Sequence, residues 1–402
     1  MNVLVINAGS SSLKFQLVRT DADRIAAHTD EKLARWQIER VGGEAVFTLR
    51  GRDGRPVKGS APIRDLRAAV EYIVAWLASP ESGPVIGAVG EIEAVGHRVV
   101  HGGERFQRSV RIDDDVMDGI EDMIDLAPLH NPSNLKGITA VRAVLGTDVP
   151  HVAVFDTAFH HTIPERAYLY AIPYQLYRRH KVRRYGFHGT SHRYVAYRWR
   201  ELTGVSRDHT RIITLHLGNG CSACAIDGGN SVDTSMGFTP LEGLVMATRS
   251  GSVDPGMLLW LLQDGRLTHD ALSDGLEHRS GLAGLAATAD MREILEREDP
   301  DARLAVDAYV HRLRAGIAAM TAALGALDVL VFTGGVGENA ASIRAEACAG
   351  LGFLGVAIDG QRNAAARGDA DVGERGSDAS VLVIAAREDL EIARQARELL
   401  RV

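Results

Sequence analysis

Val3-Leu4-Val5-Ile6-Asn7-Ala8-Gly9-Ser10-Ser11-Ser12-Leu13-Lys14-Phe15 opens the chain as two apolar runs parted by small residues. Residues 3–7 are rich in β-branched side chains, residues 8–12 break the run, and residues 13–18 resume it. The pattern predicts a β-hairpin with a Gly/Ser connection. Such a turn offers several backbone N–H groups among small side chains, and concave amide arrays of this kind bind anions, phosphate above all. Lys14 follows Ser12 on the same strand face and adds a positive charge. A plain tight hairpin is the ordinary reading of any one such turn.

About half the chain of 402 residues further on, the pattern restarts. Residues 211–217 form a β-run, Gly218-Asn219-Gly220 interrupts it, and residues 221–226 continue it. Between the hairpins, residues 44–49 read as a third strand and residues 63–77 take helical spacing. Residues 95–100 read as a strand ending at His101-Gly102-Gly103. Val116, Ile120, Met123 and Ile124 share a helix face, and the strand 151–155 delivers Asp156 at its end. After the second hairpin come a helix from about 304 to 327 and a strand at 328–333. Gly334-Gly335-Val336-Gly337 reads as a loop opening a helix at 338–348. Residues 361–380 read as an exposed loop, 381–385 as a last strand and 389–400 as a closing amphipathic helix. Two halves that open alike predict a duplicated α/β fold, its two domains facing each other across a cleft. Three anion-competent loops favour a nucleotide ligand. No Walker A loop and no dinucleotide fingerprint occurs, which points to a phosphate chain held between two hairpins.

Composition narrows the class. Hydrophobic residues make up 46% and charged residues 24%, which excludes collagen-like and disordered chains. Aromatics at 5% leave the core to aliphatic side chains. A net charge of −7 without a long basic stripe argues against nucleic acid as a partner. The basic run at 178–184 remains open to a small anionic ligand. No signal-type segment and no apolar run near the ~20 residues of a membrane span is expected to operate. Three cysteines give no disulfide framework, so a reducing cytoplasm is expected.

Several side chains stand out chemically. Arg98, in His97-Arg98-Val99-Val100-His101, and Arg249, in Met246-Ala247-Thr248-Arg249-Ser250-Gly251, sit in low-charge surroundings. A planar guanidinium suits a carboxylate or phosphate, although a salt bridge is the ordinary alternative. Residues 184–192 gather aromatics and two histidines around a turn. No zinc set and no G-x-S-x-G elbow is present. Cys221 and Cys224, three apart in a strand, face opposite ways and read as packing residues. Asp156 and Glu388 are candidate magnesium partners, with helix N-terminal charge the competing reading of Glu388.

Together these segments resemble the acetate kinases. The resemblance is carried by residues 3–15, 151–160, 184–192, His216 to Gly220, Asp290-Met291-Arg292, and Phe332-Thr333-Gly334-Gly335-Val336-Gly337-Glu338-Asn339. It implies two duplicated actin-like (ribonuclease H-like) domains, residues 1–156 with 388–402 and residues 157–387, in a homodimer. The implied reaction moves the γ-phosphoryl of ATP reversibly to acetate, giving acetyl phosphate and ADP. Mg²⁺ is the implied metal, with Mn²⁺ able to substitute. By resemblance, Arg98 and Arg249 grip carboxylate and phosphoryl group, His188 stabilises the transition state, and His130 lies near. Asp156 positions metal or substrate, and Asn7 with Glu388 binds the metal. Ser10, Ser12 and Lys14 lie on the phosphate side. His216, Leu217, Gly218, Asn219, Gly220, Asp290, Met291, Arg292, Gly335, Val336, Gly337, Glu338 and Asn339 contact the nucleotide. Val100, Leu129, Phe187 and Pro240 would form the acyl pocket, with Val100 favouring acetate. A propionate or butyrate kinase, and more distantly a superfamily ATPase without a carboxylate acceptor, are the alternatives. Two departures stand out: Arg387 replaces the usual Asn before Glu388, and Ala286-Ala287-Thr288-Ala289 lacks the usual serines.

Overall fold

The computed structural model describes the whole chain except Ser10, Asp53, Pro84, Arg207, His209, Arg401 and Val402. It divides into two compact units, Met1–Ala158 with Arg387–Val402, and Phe159–Ala386.

The first unit is built on an eight-stranded sheet. Its strands are β1 (Asn2–Ala8), β2 (Ser12–Arg19), β3 (Glu31–Glu39), β4 (Gly43–Arg50), β5 (Pro56–Ile63), β6 (Ala94–Val99), β7 (Val110–Arg111) and β8 (His151–Phe155). Their order is β5-β4-β3-β2-β1-β6-β8-β7. β1 and β2 form the expected antiparallel hairpin, with Asn7 opposite Lys14. β6 then runs parallel to β1, and β8 parallel to β6. The unbroken apolar run of β1 follows from burial on both faces. Leu4 and Ile6 join the core that holds Trp36 and Trp76. Val3 and Val5 pack instead on Ile392 and Ala393 of the closing helix Glu388–Leu400. Gly96 lets that helix approach, since a Cβ there would stand 2.6 Å from Ile392.

Three strands of this sheet escape the sequence reading: β3, β5 and the two-residue β7. β3 mixes buried Leu33, Ala34, Trp36 and Ile38 with charged neighbours, so residues 44–49 form the fourth strand and not the third. β5 is an exposed edge strand carrying Pro56 and Pro62, residues that strands tolerate mainly at an edge.

The second unit has six strands: β9 (Arg211–Leu217), β10 (Cys221–Asp227), β11 (Asn230–Thr234), β12 (Val329–Thr333), β13 (Ala370–Asp371) and β14 (Ser380–Val383). The order is β11-β10-β9-β12-β14-β13. β9, β10 and β11 pair antiparallel, while β12 is parallel to β9 and β14 parallel to β12. The five strands β11-β10-β9-β12-β14 therefore repeat the sequence β3-β2-β1-β6-β8 of the first unit, pairing for pairing. This is the duplication that the two hairpins announce.

Three boundaries differ from the sequence reading. The long helix spans Pro300–Leu324: Asp299 caps it, Pro300 sits in its first turn, and Gly325 ends it at φ 77°. The glycine segment is itself a short helix, Gly334–Asn339, parted at Ala340 from the helix Ala341–Ala349. Residues 361–380 are more than a loop, since the helix Gly360–Ala365 and strand β13 occupy part of them. Cys221, Cys224 and Cys348 are all buried free thiols.

Candidate functional site

In the first unit the candidate residues gather at the ends of β1, β6 and β8. Parallel pairing sets Arg98 beside Val154, so Asp156 emerges one step past the end of β8. Arg98 Nε donates to Asp156 Oδ1 at 3.0 Å and Nη2 to Oδ2 at 2.6 Å. Asp156 is buried, and Glu388 lies 4.0 Å from Arg98 Nε. Burial opposes the charge on Arg98, yet Asp156 and Glu388 overcome it and hold the guanidinium firmly protonated. The salt bridge is thus a bidentate, charge-assisted fork.

Asn134 ties the neighbouring backbone together. Its Oδ1 accepts from Val100 N at 3.0 Å and its Nδ2 donates to Ala8 O at 3.1 Å. The end of the first hairpin and the end of β6 are thereby fixed to one helix, Asn131–Leu145. Asn131 adds a bond from His101 N at 3.2 Å. Neither asparagine is singled out in the sequence reading. Their signal is the cluster Asn131-Pro132-Ser133-Asn134, which reads only as a helix start.

In the second unit the centre is a cluster of histidines where the helix Gly189–Thr203 begins over β9 and β10. His188 precedes that helix with left-handed backbone, φ 56° and ψ 24°. Its Nδ1 lies 2.9 Å from Ser222 Oγ, and its ring stacks on His216 with centroids 4.3 Å apart. His216 Nδ1 in turn meets Ser191 Oγ at 2.8 Å. Arg249 is held by the Pro240 carbonyl, to which Nη1 donates at 2.7 Å, and burial pulls its proton affinity down. Gly220 shows where these groups converge. A Cβ on it would stand 2.7 Å from Arg249 Nη2 and 3.2 Å from His188 Nε2. One guanidinium and one imidazole therefore face the same small space, open because residue 220 has no side chain. Two cation-capable groups close to one point suit an anion with several oxygens.

Over residues 2–394 the chain matches the Acetokinase family. The chain belongs to that family. It is 52% identical to an acetate kinase of Solibacter usitatus, over 98% of this chain and 97% of that one. The structure of Porphyromonas gingivalis acetate kinase superposes with a TM-score of 0.93 at 41% identity, covering 99% of both chains. A propionate kinase of Francisella tularensis gives 0.90 at 36% identity, also over 99% of both. The duplicated α/β core is the actin-like fold expected of an acetokinase.

The remaining candidates lie in one unit or the other. Ser12 and the exposed Lys14 stand on β2, while Ser10 lies outside the described residues. Val100 is half-buried, His130 precedes the helix Asn131–Leu145, and Leu129 is 60% exposed. Phe187 is buried, and its carbonyl lies 3.0 Å from His160 Nε2. The turn Gly218-Asn219-Gly220 is closed by Gly218 N donating to Gly220 O, and Asn219 O accepts from Ala247 N. Leu217 and Met291 are buried. Asp290 caps the helix Met291–Leu295 and grips Arg292 Nε at 3.0 Å, which holds its carboxyl down at about 2. Glu338 accepts from Gly334 N at 3.1 Å and Ala386 N at 2.9 Å, so its carboxylate braces the glycine segment against the chain after β14. Gly335, Val336 and Gly337 form that segment, and Asn339 Nδ2 donates to Gly335 O.

Among the described residues no group of three or more His, Cys, Asp or Glu is placed to hold a metal ion. Asn7 and Glu388 nonetheless fit Mg²⁺ in kind. Both are half-buried oxygen donors, and Mg²⁺ keeps several waters and leans on substrate phosphates. Beside Glu388, the Asp389 carboxyl is raised by burial and then by Glu388, while Lys32, Arg98 and Lys14 pull it the other way. Arg387 is exposed.

Proposed function

We propose that the chain transfers the γ-phosphoryl group of ATP reversibly to the carboxylate of acetate, giving acetyl phosphate and ADP. The observation that carries this reading is the convergence of Arg249 and His188 on the space at Gly220, in a member of the Acetokinase family. A carboxylate at neutral pH is already a nucleophile, so no general base is required. The work lies in bringing anions together and offsetting charge on the phosphoryl oxygens.

Each group then has a task. In the first unit Arg98, oriented by its fork to Asp156, receives the carboxylate, and Val100, Leu129 and His130 line its surroundings. In the second unit Arg249 and His188 hydrogen-bond the phosphoryl oxygens, with Phe187 and Pro240 beside them. His216 to Gly220, Asp290 to Arg292 and Gly335 to Asn339 hold the nucleotide. Ser12 and Lys14 serve the phosphate side. Asn7 and Glu388 hold Mg²⁺, which when bound offsets charge on the phosphate oxygens. Removing one donor to developing charge costs on the order of 10²–10³ in rate.

The decisive assay traps acetyl phosphate as its hydroxamate. Product that needs both ATP and acetate supports the reading. Phosphate release at the same rate without acetate would sink it, and would favour an ATPase. Propionate is the second acceptor to test, given the likeness to a propionate kinase.

Two coarser features are proposed alongside. The helix Pro255–Leu262 has no buried residue, and Leu259 and Trp260 are 72% and 54% exposed. An apolar surface of this kind fits the interface of a homodimer. Three free thiols fit a reducing cytoplasm.

A further inference from the structure

The sheet face beneath His188 carries polar groups where packing alone asks for aliphatic ones. Along β9 and β10, His216 stands opposite Ser222 and Thr214 opposite Cys224. Thr214, Ser222 and His192 are fully buried. They form a line. Thr214 Oγ1 lies 2.7 Å from His192 Nδ1, His192 Nε2 lies 2.8 Å from Ser222 Oγ, and Ser222 Oγ lies 2.9 Å from His188 Nδ1. Apolar groups of the same shape would serve packing about as well, so stability does not explain these three. The line ends on the ring whose Nε2 faces the space beside Arg249.

We infer that Ser222, His192 and Thr214 are a positioning relay for His188. The inference rests on the reading of His188 as a ligand of the transferring phosphoryl group. Two things about His188 call for such a device. Its backbone is left-handed, a conformation that persists only where the surroundings over-determine it. The orientation of its ring about χ2 decides where Nε2 points, and a bond at Nδ1 is what aims it. Ser222 can bond Nδ1 in either sense. With Thr214 donating to His192 Nδ1, His192 Nε2–H donates to Ser222, Ser222 donates to His188 Nδ1, and His188 carries its proton on Nε2. With every donor reversed, His188 donates from Nδ1 to Ser222, and a protonated ring still presents Nε2–H. The relay thus keeps a donor aimed at the phosphoryl space in both charge states. Arg249, His192 and His216 are charged or titratable groups facing His188, with Ser222 the hydroxyl between it and His192. Burial keeps His192 neutral, as a two-way link requires.

The test uses steady-state kinetics of the full chain. Ser222→Ala should lower kcat on the order of 10–100-fold, by analogy with the orienting partners of metal-bound histidines, with KM for ATP and acetate within about twofold. Thr214→Val, which keeps the shape, should move kcat the same way, and Thr214→Ser should restore it. That pair carries the test if Ser222→Ala fails to fold. In a His188→Ala background, Ser222→Ala should change kcat less than about twofold. Wild-type kcat in Ser222→Ala and Thr214→Val, with His188→Ala impaired, overturns the relay alone. An undiminished further loss in the His188→Ala background does the same, because it makes Ser222 structural. Unchanged kcat in His188→Ala overturns the reading of His188 and the relay with it.

Discussion

Arg98 and Asp156 are each other's condition. Asp156 is 1% exposed, and without Arg98 it would be a buried carboxylate lacking its charge partner. Breaking such a pair from one side costs about 3–5 kcal/mol. Arg98→Ala should therefore lose both turnover, by at least about 10², and thermal stability. Arg98→Lys keeps a charge but not the fork, and should recover stability more than turnover. Calorimetry beside the hydroxamate assay checks this, and wild-type turnover in Arg98→Ala would refute the assigned role. Val100 belongs to the same scale. Removing two methyls with Val100→Ala should lower KM for propionate relative to acetate, by the ~1–3 kcal/mol that a methylene commands in an apolar pocket. An unchanged ratio would show that Val100 does not line it.

At the scale of elements, what the sequence reveals depends on what enforces it. The hairpins at Gly9 and Gly218 are legible because turn chemistry and apolar runs agree locally. β3 is not, because Lys32, Arg35 and Gln37 share it with the buried Trp36 and Ile38, and only the neighbouring strands decide its pairing. Among the site residues, Arg98 and Arg249 announce themselves by charge in quiet surroundings. Ser222 and Thr214 do not, since a hydroxyl in a strand is ordinary until the histidines opposite it are known. The glycine segment is misread as a loop for a related reason. Gly334 has φ 78°, a left-handed conformation outside the helical region, and its absent Cβ would stand 2.9 Å from the Leu217 backbone, so only glycine lets the start of this short helix press against β9. Gly334→Ala should then cost more than about 1 kcal/mol and weaken ATP binding together with stability. Equilibrium unfolding and KM for ATP measure both, and a neutral substitution would remove the close approach from the account.

For the whole molecule, acid is the sensitive direction. Burial pulls His160 down to about 4, and burial with His130 pulls His101 down to about 3. His97 and His151, stacked and bonded at 2.9 Å, are lowered for the same reason. The unfolded chain takes up these protons near pH 6.5 while the folded chain refuses them. The stability they contribute is complete above that pH and lost as pH falls toward 4. By linkage, His101 and His160 each cost about 2 kcal/mol between pH 7 and pH 5. The guanidinium midpoint should drop accordingly, and an unchanged midpoint would count against their burial as neutral rings. The proposed homodimer is tested separately: the wild-type chain should sediment as a dimer and Leu259→Glu with Trp260→Glu as monomers; a monomeric wild type would overturn the dimer, and a dimeric variant would overturn this interface. The closing helix has a further consequence, in the order of manufacture. Its Ile392, Ala393 and Ala396 cover the valines of β1 and β8, and Arg394 locks it to Asp30 at 2.7 Å. A ribosome adding about 5–20 residues per second completes the intervening unit only after tens of seconds. The first unit to emerge is thus the last to be finished, and a chain stalled midway offers chaperones and proteases a bare valine face.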